Sequence, residues 1–323
     1  MDQAQNLREM IKNSTRSEQS QPEKNMVKQN QIEENQIEEN QLRPIDRSHN
    51  SKIITVTSGK GGVGKTSVSV NMAIQFRQQG KSVIIFDADF GLANIEVMFG
   101  AVPKYNLTDL VYRGKELKDI IMKGPMDIGF ISGGSGVTGF DDLSKDQIVY
   151  LVHKLKELES IVDIIIIDTG AGISSAVMDF VVASDEVLLV TTPEPTSITD
   201  SYSLLKALNK NENFDRNNTR IRVITNRVSS QEEGTNLYNK LNVVVNKFLN
   251  INLGFLGAIE ADVNMSKAII QQKPVCMAYP NSKGAKAFTN LAKRILELPE
   301  TEAEKPKGLS MFFMRKFKMS KGG

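Results

Sequence analysis

Ser58-Gly59-Lys60-Gly61-Gly62-Val63-Gly64-Lys65-Thr66-Ser67 follows the β-branched run Ile53-Ile54-Thr55-Val56-Thr57 and precedes residues 68–79, whose apolar positions have helical spacing. A strand, a glycine-rich turn and a helix in that order, with a lysine and a hydroxyl at the helix start, read as a phosphate-binding loop. The glycines leave the backbone free to curl until several N–H groups face one point, and the helix adds the positive end of its dipole. A polyphosphate suits such a cradle. The contacts expected of it run over Gly61, Gly62, Val63, Gly64, Lys65, Thr66 and Ser67. Within that set Lys65 reaches the β- and γ-phosphates, and the Thr66 hydroxyl is a Mg²⁺ ligand.

Outward from the loop, short apolar runs at 82–87, 127–132, 163–168, 186–191, 220–225 and 253–258 alternate with helical patterns at 145–160, 175–183, 197–209, 231–249, 261–272 and 282–298. A run as apolar as Ile164-Ile165-Ile166-Ile167 reads as a strand buried on both faces. The expected fold is therefore α/β: a P-loop NTPase with a doubly wound, mostly parallel sheet and helices on both faces. Its ligands sit at the carboxyl ends of the strands.

Carboxylates stand at those ends. Asp87 and Asp89 close the second strand, two apart and on one face if the strand still runs there, and Asp168 closes the fourth. Buried and unpaired, such a charge would cost on the order of several kcal/mol. Mg²⁺ and water give it a reason: Asp168 fits binding of the metal through a water, and Gly170 can offer its N–H to a γ-phosphate. The alternative for Asp168 is a solvent-facing strand end or a helix cap. Gly133-Gly134-Ser135-Gly136 lacks a lysine and a hydroxyl at the phosphate-loop spacing and reads as a surface loop. Guanine is disfavoured as the base, because no Asn/Thr-Lys-x-Asp segment lies near a strand end.

With 323 residues the chain can form one large α/β domain plus extensions, or two small domains. Its 40 basic and 38 acidic residues give a net charge of +2, so no chain-wide field calls for nucleic acid, and no specific nucleic acid is expected. Cys276 is the sole cysteine, and His49 and His153 the only histidines. Neither a disulfide framework, a zinc site nor a cysteine-paired iron–sulfur cluster can be assembled within one chain, and a reducing cytoplasm fits. No run approaches the roughly 18 apolar residues of a membrane span, and the polar first 50 residues do not read as a secretion signal.

The expected organisation is an N-terminal motif and flexible polar tether over 1–50, the ATPase domain over 51–299, and a linker with an amphipathic helix over 300–323. Ala4, Leu7, Met10 and Ile11 have helical spacing, in a segment too short to hold a helix alone. From there to residue 50 the chain is rich in Gln, Asn and Glu, with Asn-Gln-Ile-Glu-Glu repeated at 30–34 and 35–39. Such a stretch has too few hydrophobes to offset chain entropy. At the other end Leu309, Phe312, Phe313 and Phe317 share a helical face, with Arg315, Lys318 and Lys321 largely off it. A basic, Phe-rich amphipathic helix beyond a linker reads as an interfacial anchor for an anionic membrane. The alternative is packing back onto the domain.

Lys60-Gly61-Gly62-Val63-Gly64-Lys65-Thr66 resembles the deviant phosphate loop of the MinD/ParA ATPases. The segment 86–94 resembles that family's first switch. Asp2-Gln3-Ala4, two spacers and Leu7-Arg8 resemble the N-terminal motif of its FlhG branch, which regulates bacterial flagella. The resemblance spans nearly all of 51–321. It implies that Lys60 crosses a homodimer interface to the partner's phosphates, that Asp89 orients the attacking water, and that Asp87 supports the loop and the Mg²⁺ shell. It also places Asn226 and Arg227 at the adenine, where a turn built on Asn226 is the ligand-free alternative, and residues 192–200 near the dimer face. Pro193 and Pro195 read as holding that segment extended ahead of a helix capped by Thr196 or Ser197. The activity implied is slow, stimulated hydrolysis of ATP. Implied partners are the FlhF GTPase, through Asp2, Gln3, Ala4, Leu7 and Arg8, flagellar C-ring proteins, and the inner face of the cell membrane, on which a cytoplasmic protein would sit peripherally. A septum-placing MinD and a DNA-partitioning ParA remain alternatives.

Overall fold

The computed structural model describes residues 51–89, 94–134, 144–216, 219–297 and 308–319. The N-terminal motif and tether, and the linker before residue 308, lie outside them. Eight strands form one sheet: β1 (Lys52–Thr57), β2 (Val83–Ala88), β3 (Met122–Lys123), β4 (Gly129–Ser132), β5 (Ile164–Thr169), β6 (Glu186–Thr191), β7 (Arg220–Val228) and β8 (Leu253–Glu260). Their order is β3-β4-β2-β5-β1-β6-β7-β8. Every pairing is parallel except β3 with β4. The first strand is central and its neighbours are fifth and sixth in sequence, so the chain reverses its direction of winding at β1. The crevice opens at the carboxyl ends beside that reversal.

The four isoleucines of β5 are buried because helices cover both faces. One face carries α1 (Lys65–Gln78), α2 (Asn94–Phe99), α9 (Val263–Ile270), α10 (Val275–Ala278) and α11 (Lys283–Leu296), whose apolar residues form one cluster with the sheet. The other carries α3 (Leu107–Tyr112), α4 (Leu117–Ile120), α5 (Lys145–Ile161), α6 (Ser175–Ala183), α7 (Pro195–Asn209), α8 (Gln231–Leu249) and α12 (Leu309–Met319). No described helix is long and apolar enough to cross a membrane.

Several boundaries differ from the sequence reading. Strand β3 is two residues long, too short to show a period, and α2, α3, α4 and α10 are single turns or little more. Helix α1 begins three residues early, at Lys65, because the phosphate loop turns directly into it. Helix α9 is shorter than 261–272, starting after Asp262, which caps it by accepting from Asn264 N at 2.8 Å. Helix α7 is not capped by Thr196 or Ser197. Pro195 occupies its first position, where a missing N–H costs nothing, and Glu194 is the cap residue.

Candidate nucleotide site

Between β1 and α1 the loop turns at Gly64, which has φ 100°. A Cβ there would lie 2.6 Å from Asn226 Nδ2, so backbone conformation and close approach both require glycine. Asn226, at the end of β7, reaches in and donates to Val63 O at 2.7 Å. Its Oδ1 accepts from Arg227 N at 2.9 Å. One N–H and one lone pair of the amide are thus used in tying the loop to β7, and one of each is left for a ligand. Beside them a cavity of about 390 Å³ is lined by Gly64, Ser67, Asn226, Arg227, Val263 and Met265.

Lys65 is 8% exposed and donates to Ser58 Oγ at 3.1 Å. Burial holds its ammonium below the usual lysine range, against the opposing pull of Asp168 and Asp89. A desolvated cation with a neutral partner gains most from an arriving phosphate.

Asp87 and Asp168 face each other in register on β2 and β5, at 2% and 1% exposure. Burial, then the neighbouring Asp168, pushes the Asp87 carboxyl up to about 8. Burial raises Asp168 to about 6, against hydrogen bonds from Thr66 and Ser69 and the charge of Lys65. Ser69 Oγ donates to Asp168 Oδ1 at 2.9 Å. The other oxygen of each aspartate is buried with no partner, as is Ser67 Oγ. Two buried carboxylates this close are costly unless a cation neutralises them, and orphaned oxygens beside the Thr66 hydroxyl are the hard donors Mg²⁺ prefers. The donor set fits that ion.

Asp89 is half-buried. Its N–H donates to Asp87 Oδ1 at 3.1 Å, and Asn94 Nδ2 approaches its Oδ2 at 3.5 Å. Gly170 lies against it, since a Cβ on that glycine would be 3.4 Å from Asp89 Oδ1. The ends of β1, β2 and β5 therefore bring Lys65, Asp87, Asp89, Asp168 and Gly170 together, with Asn226 joining from β7. Lys60 donates to Glu194 Oε2 and, at 2.7 Å, to Thr196 Oγ1. Sequence reading missed Ser58, Ser69 and Glu194 as partners of the charged groups. It also missed Val263 and Met265, whose only signal is their place after a strand end.

Helix α12 packs on α5 and α6, the arrangement left open as an alternative above. Leu309 and Phe313 are fully buried, and Phe313 meets Phe180 edge to face with centroids 6.0 Å apart. Ser310 donates from N and Oγ to Glu159 at 3.1 and 2.8 Å, and Lys316 pairs with Asp179. Phe312 is partly buried, and the Phe317 side chain lies outside the described residues. Two buried side chains contribute about 1.5–3 kcal/mol each, within reach of a competing apolar surface such as a bilayer.

A doubly wound sheet with a phosphate loop after β1 and aspartates closing β2 and β5 defines a P-loop NTPase. Residues 54–275 match the CobQ/CobB/MinD/ParA nucleotide binding domain. The antiactivator FleN of Pseudomonas aeruginosa is 38% identical over 275 residues, which cover 85% of this chain and 96% of that one. The flagellum site-determining protein YlxH of Helicobacter pylori is 36% identical over 282 residues, covering 84% and 92%. The septum site-determining protein MinD of Pyrococcus horikoshii, solved with Mg-ADP, superposes with a TM-score of 0.61 at 24% identity over 79% of this chain and 100% of that one. The chain belongs to the MinD/ParA family of nucleotide-binding ATPases.

Proposed function

We propose that the chain binds ATP with Mg²⁺, closes as a homodimer over two nucleotides, attaches to the inner face of the cell membrane through α12, and sets flagellar number or placement. The observation that carries the catalytic part is the buried pair Asp87 and Asp168, each with an orphaned oxygen, beside the desolvated Lys65. The names of the FleN and YlxH relatives support the flagellar assignment.

In this reading Lys65 and the loop N–H groups hold the β- and γ-phosphates, while Asn226 and Arg227 flank the adenine. Mg²⁺, held by Thr66 and through water by Asp168, would supply charge neutralisation between those phosphates. Asp87 holds the β2 end in place through the Asp89 N–H. Asp89 aligns a water for in-line attack on the γ-phosphorus, and Gly170 N–H steadies the γ-phosphate; the bond to the bridging oxygen breaks and ADP leaves. Lys60 leaves Glu194 for the partner's phosphates. Turnover is slow until membrane and partners assist. Residues Asp2, Gln3, Ala4, Leu7 and Arg8 stimulate the FlhF GTPase, and C-ring proteins are further partners. For the membrane step, α12 gives up Glu159 and Asp179 and lays Leu309, Phe312, Phe313 and Phe317 on anionic lipid, where two tails in one dimer bind with avidity.

Size-exclusion chromatography with and without ATP, followed by sedimentation with anionic vesicles, tests these steps together. A dimer that forms with ATP and sediments with vesicles is expected. Lys65→Ala should bind no nucleotide and stay monomeric. Unchanged ATP affinity in that variant would remove the assignment, and sedimentation surviving deletion of residues 308–323 would place the anchor elsewhere.

A further inference from the structure

Strand β8 is an outer strand: it pairs with β7 on one side, and along its other side a cavity of about 460 Å³ lies between the strand and α11. Outer strands carry unpaired backbone groups, and here side chains blunt them. Arg294 Nη1 donates to Leu256 O at 2.6 Å, and Gln231 Nε2 approaches Ala258 O at 3.4 Å. Lys283 pairs with Glu260 at 3.1 Å. Lys286 and Asn290 are exposed on the same wall, and their side chains have no partner among the described residues. Between them and the strand, Ala287 and Leu291 form an apolar floor.

Charge gives this groove a sign. Helix α11 carries no carboxylate, and its Lys283, Lys286 and Arg294 line the groove, where Glu260 is the one acidic side chain among the lining residues. Glu260 also lines the base cavity, making the two sites neighbours. We propose that the groove between β8 and α11 docks an extended acidic segment of a partner protein. Its carboxylates meet Lys286 and Arg294, and its apolar side chains rest on Ala287 and Leu291. Outer strands and their flanking helices are a common seat for extended peptides, where main-chain bonds add affinity and side-chain pockets add choice. A nucleic acid is the other polyanion to weigh. Evenly spaced phosphates want a track of cations, whereas this groove interposes Glu260, two amides and an apolar floor, which suit a peptide.

The test uses fluorescence anisotropy on the full chain with a fluorescein-labelled peptide alternating Glu and Val. The same peptide with Lys for Glu and a labelled 20-base-pair DNA duplex serve as comparisons. Saturable binding of the acidic peptide is expected, weakened at least about tenfold by Lys286→Glu and unchanged by Lys247→Glu on α8, outside the groove. Unchanged ATP affinity shows that each variant is folded; should Lys286→Glu not fold, Asn290→Glu reads the same contact. Three results would overturn the proposal: no saturable binding, equal binding of the lysine peptide, or equal loss in both charge reversals. Duplex binding lost with Lys286→Glu would make the groove a nucleic-acid site instead.

Discussion

Lys60 is held within its own chain, its ammonium shared between Glu194 Oε2 and Thr196 Oγ1 at the start of α7. The lysine in turn keeps the Glu194 carboxyl below its usual range. Both side chains are exposed enough for water to compete, so a phosphate can take the place of Glu194 with little resistance. Glu194→Gln is expected to lower the chain concentration for half-dimerisation with ATP by about two- to fivefold, leaving nucleotide affinity of the monomer unchanged. Analytical ultracentrifugation reads this directly. A weaker dimer would instead assign Glu194 to the closed state.

The docked tail rests most on Phe313, which is fully buried against Phe180. Removing such a ring costs about 3–5 kcal/mol where it is fully packed, comparable to the whole apolar gain of docking. Phe313→Ala should therefore expose α12 without nucleotide. Faster amide exchange over residues 308–319, with the sheet unaffected, is the expected reading; unchanged protection would contradict the packing described.

Acid should tighten the same contact. Burial holds the Glu159 carboxyl above the ordinary carboxylate range, against the hydrogen bonds from Ser310 and Leu309. Release of the tail uncovers it and returns its pKa toward the ordinary value, so the docked state binds the proton more tightly. That contribution is complete below the ordinary pKa and is lost as pH rises through the raised one. Exchange over 308–319, corrected for its intrinsic rate, should slow as pH falls through the raised pKa of Glu159, and Glu159→Gln should flatten the trend. Protection that grows with pH would refute the assignment.

Gly234 sits inside α8, where helix propensity alone favours alanine by about 0.5–1 kcal/mol. Packing overrides it. A Cβ there would lie 2.5 Å from the Ala258 Cβ and 2.7 Å from Thr225 Oγ1, and forcing a methyl into such contacts costs about 1–3 kcal/mol. Gly234→Ala is expected to lower the thermal midpoint; an increase would mean that α8 can lift from β7 and β8 freely.

The strands and long helices were legible because each carries its own signal: a β-branched run for β5, a helical period for α8, glycines and Lys65 for the loop. The aspartates were legible as charges at the ends of apolar runs. What escaped is what sequence spacing cannot hold. The partnership of Lys60 with Glu194 joins residues 134 apart in sequence, and that of Asn226 with Val63 joins residues 163 apart. Helix α3 did carry a readable capping box, Asn106 with Asp109, but six residues give too short a period to register. The amphipathic pattern of α12 was plain, yet an apolar stripe does not say whether protein or lipid covers it.

The molar mass of Asp89→Ala loaded with ATP and Mg²⁺, measured by light scattering with Lys60 intact and with Lys60→Ala added, reads whether Lys60 joins two chains over ATP. With Lys60 intact a particle of two 35.8 kDa chains should persist, while Asp89→Ala/Lys60→Ala should bind ATP yet remain a single chain. A dimer that survives loss of Lys60, or a monomeric Asp89→Ala at saturating ATP, would contradict a nucleotide-bridged dimer held by Lys60.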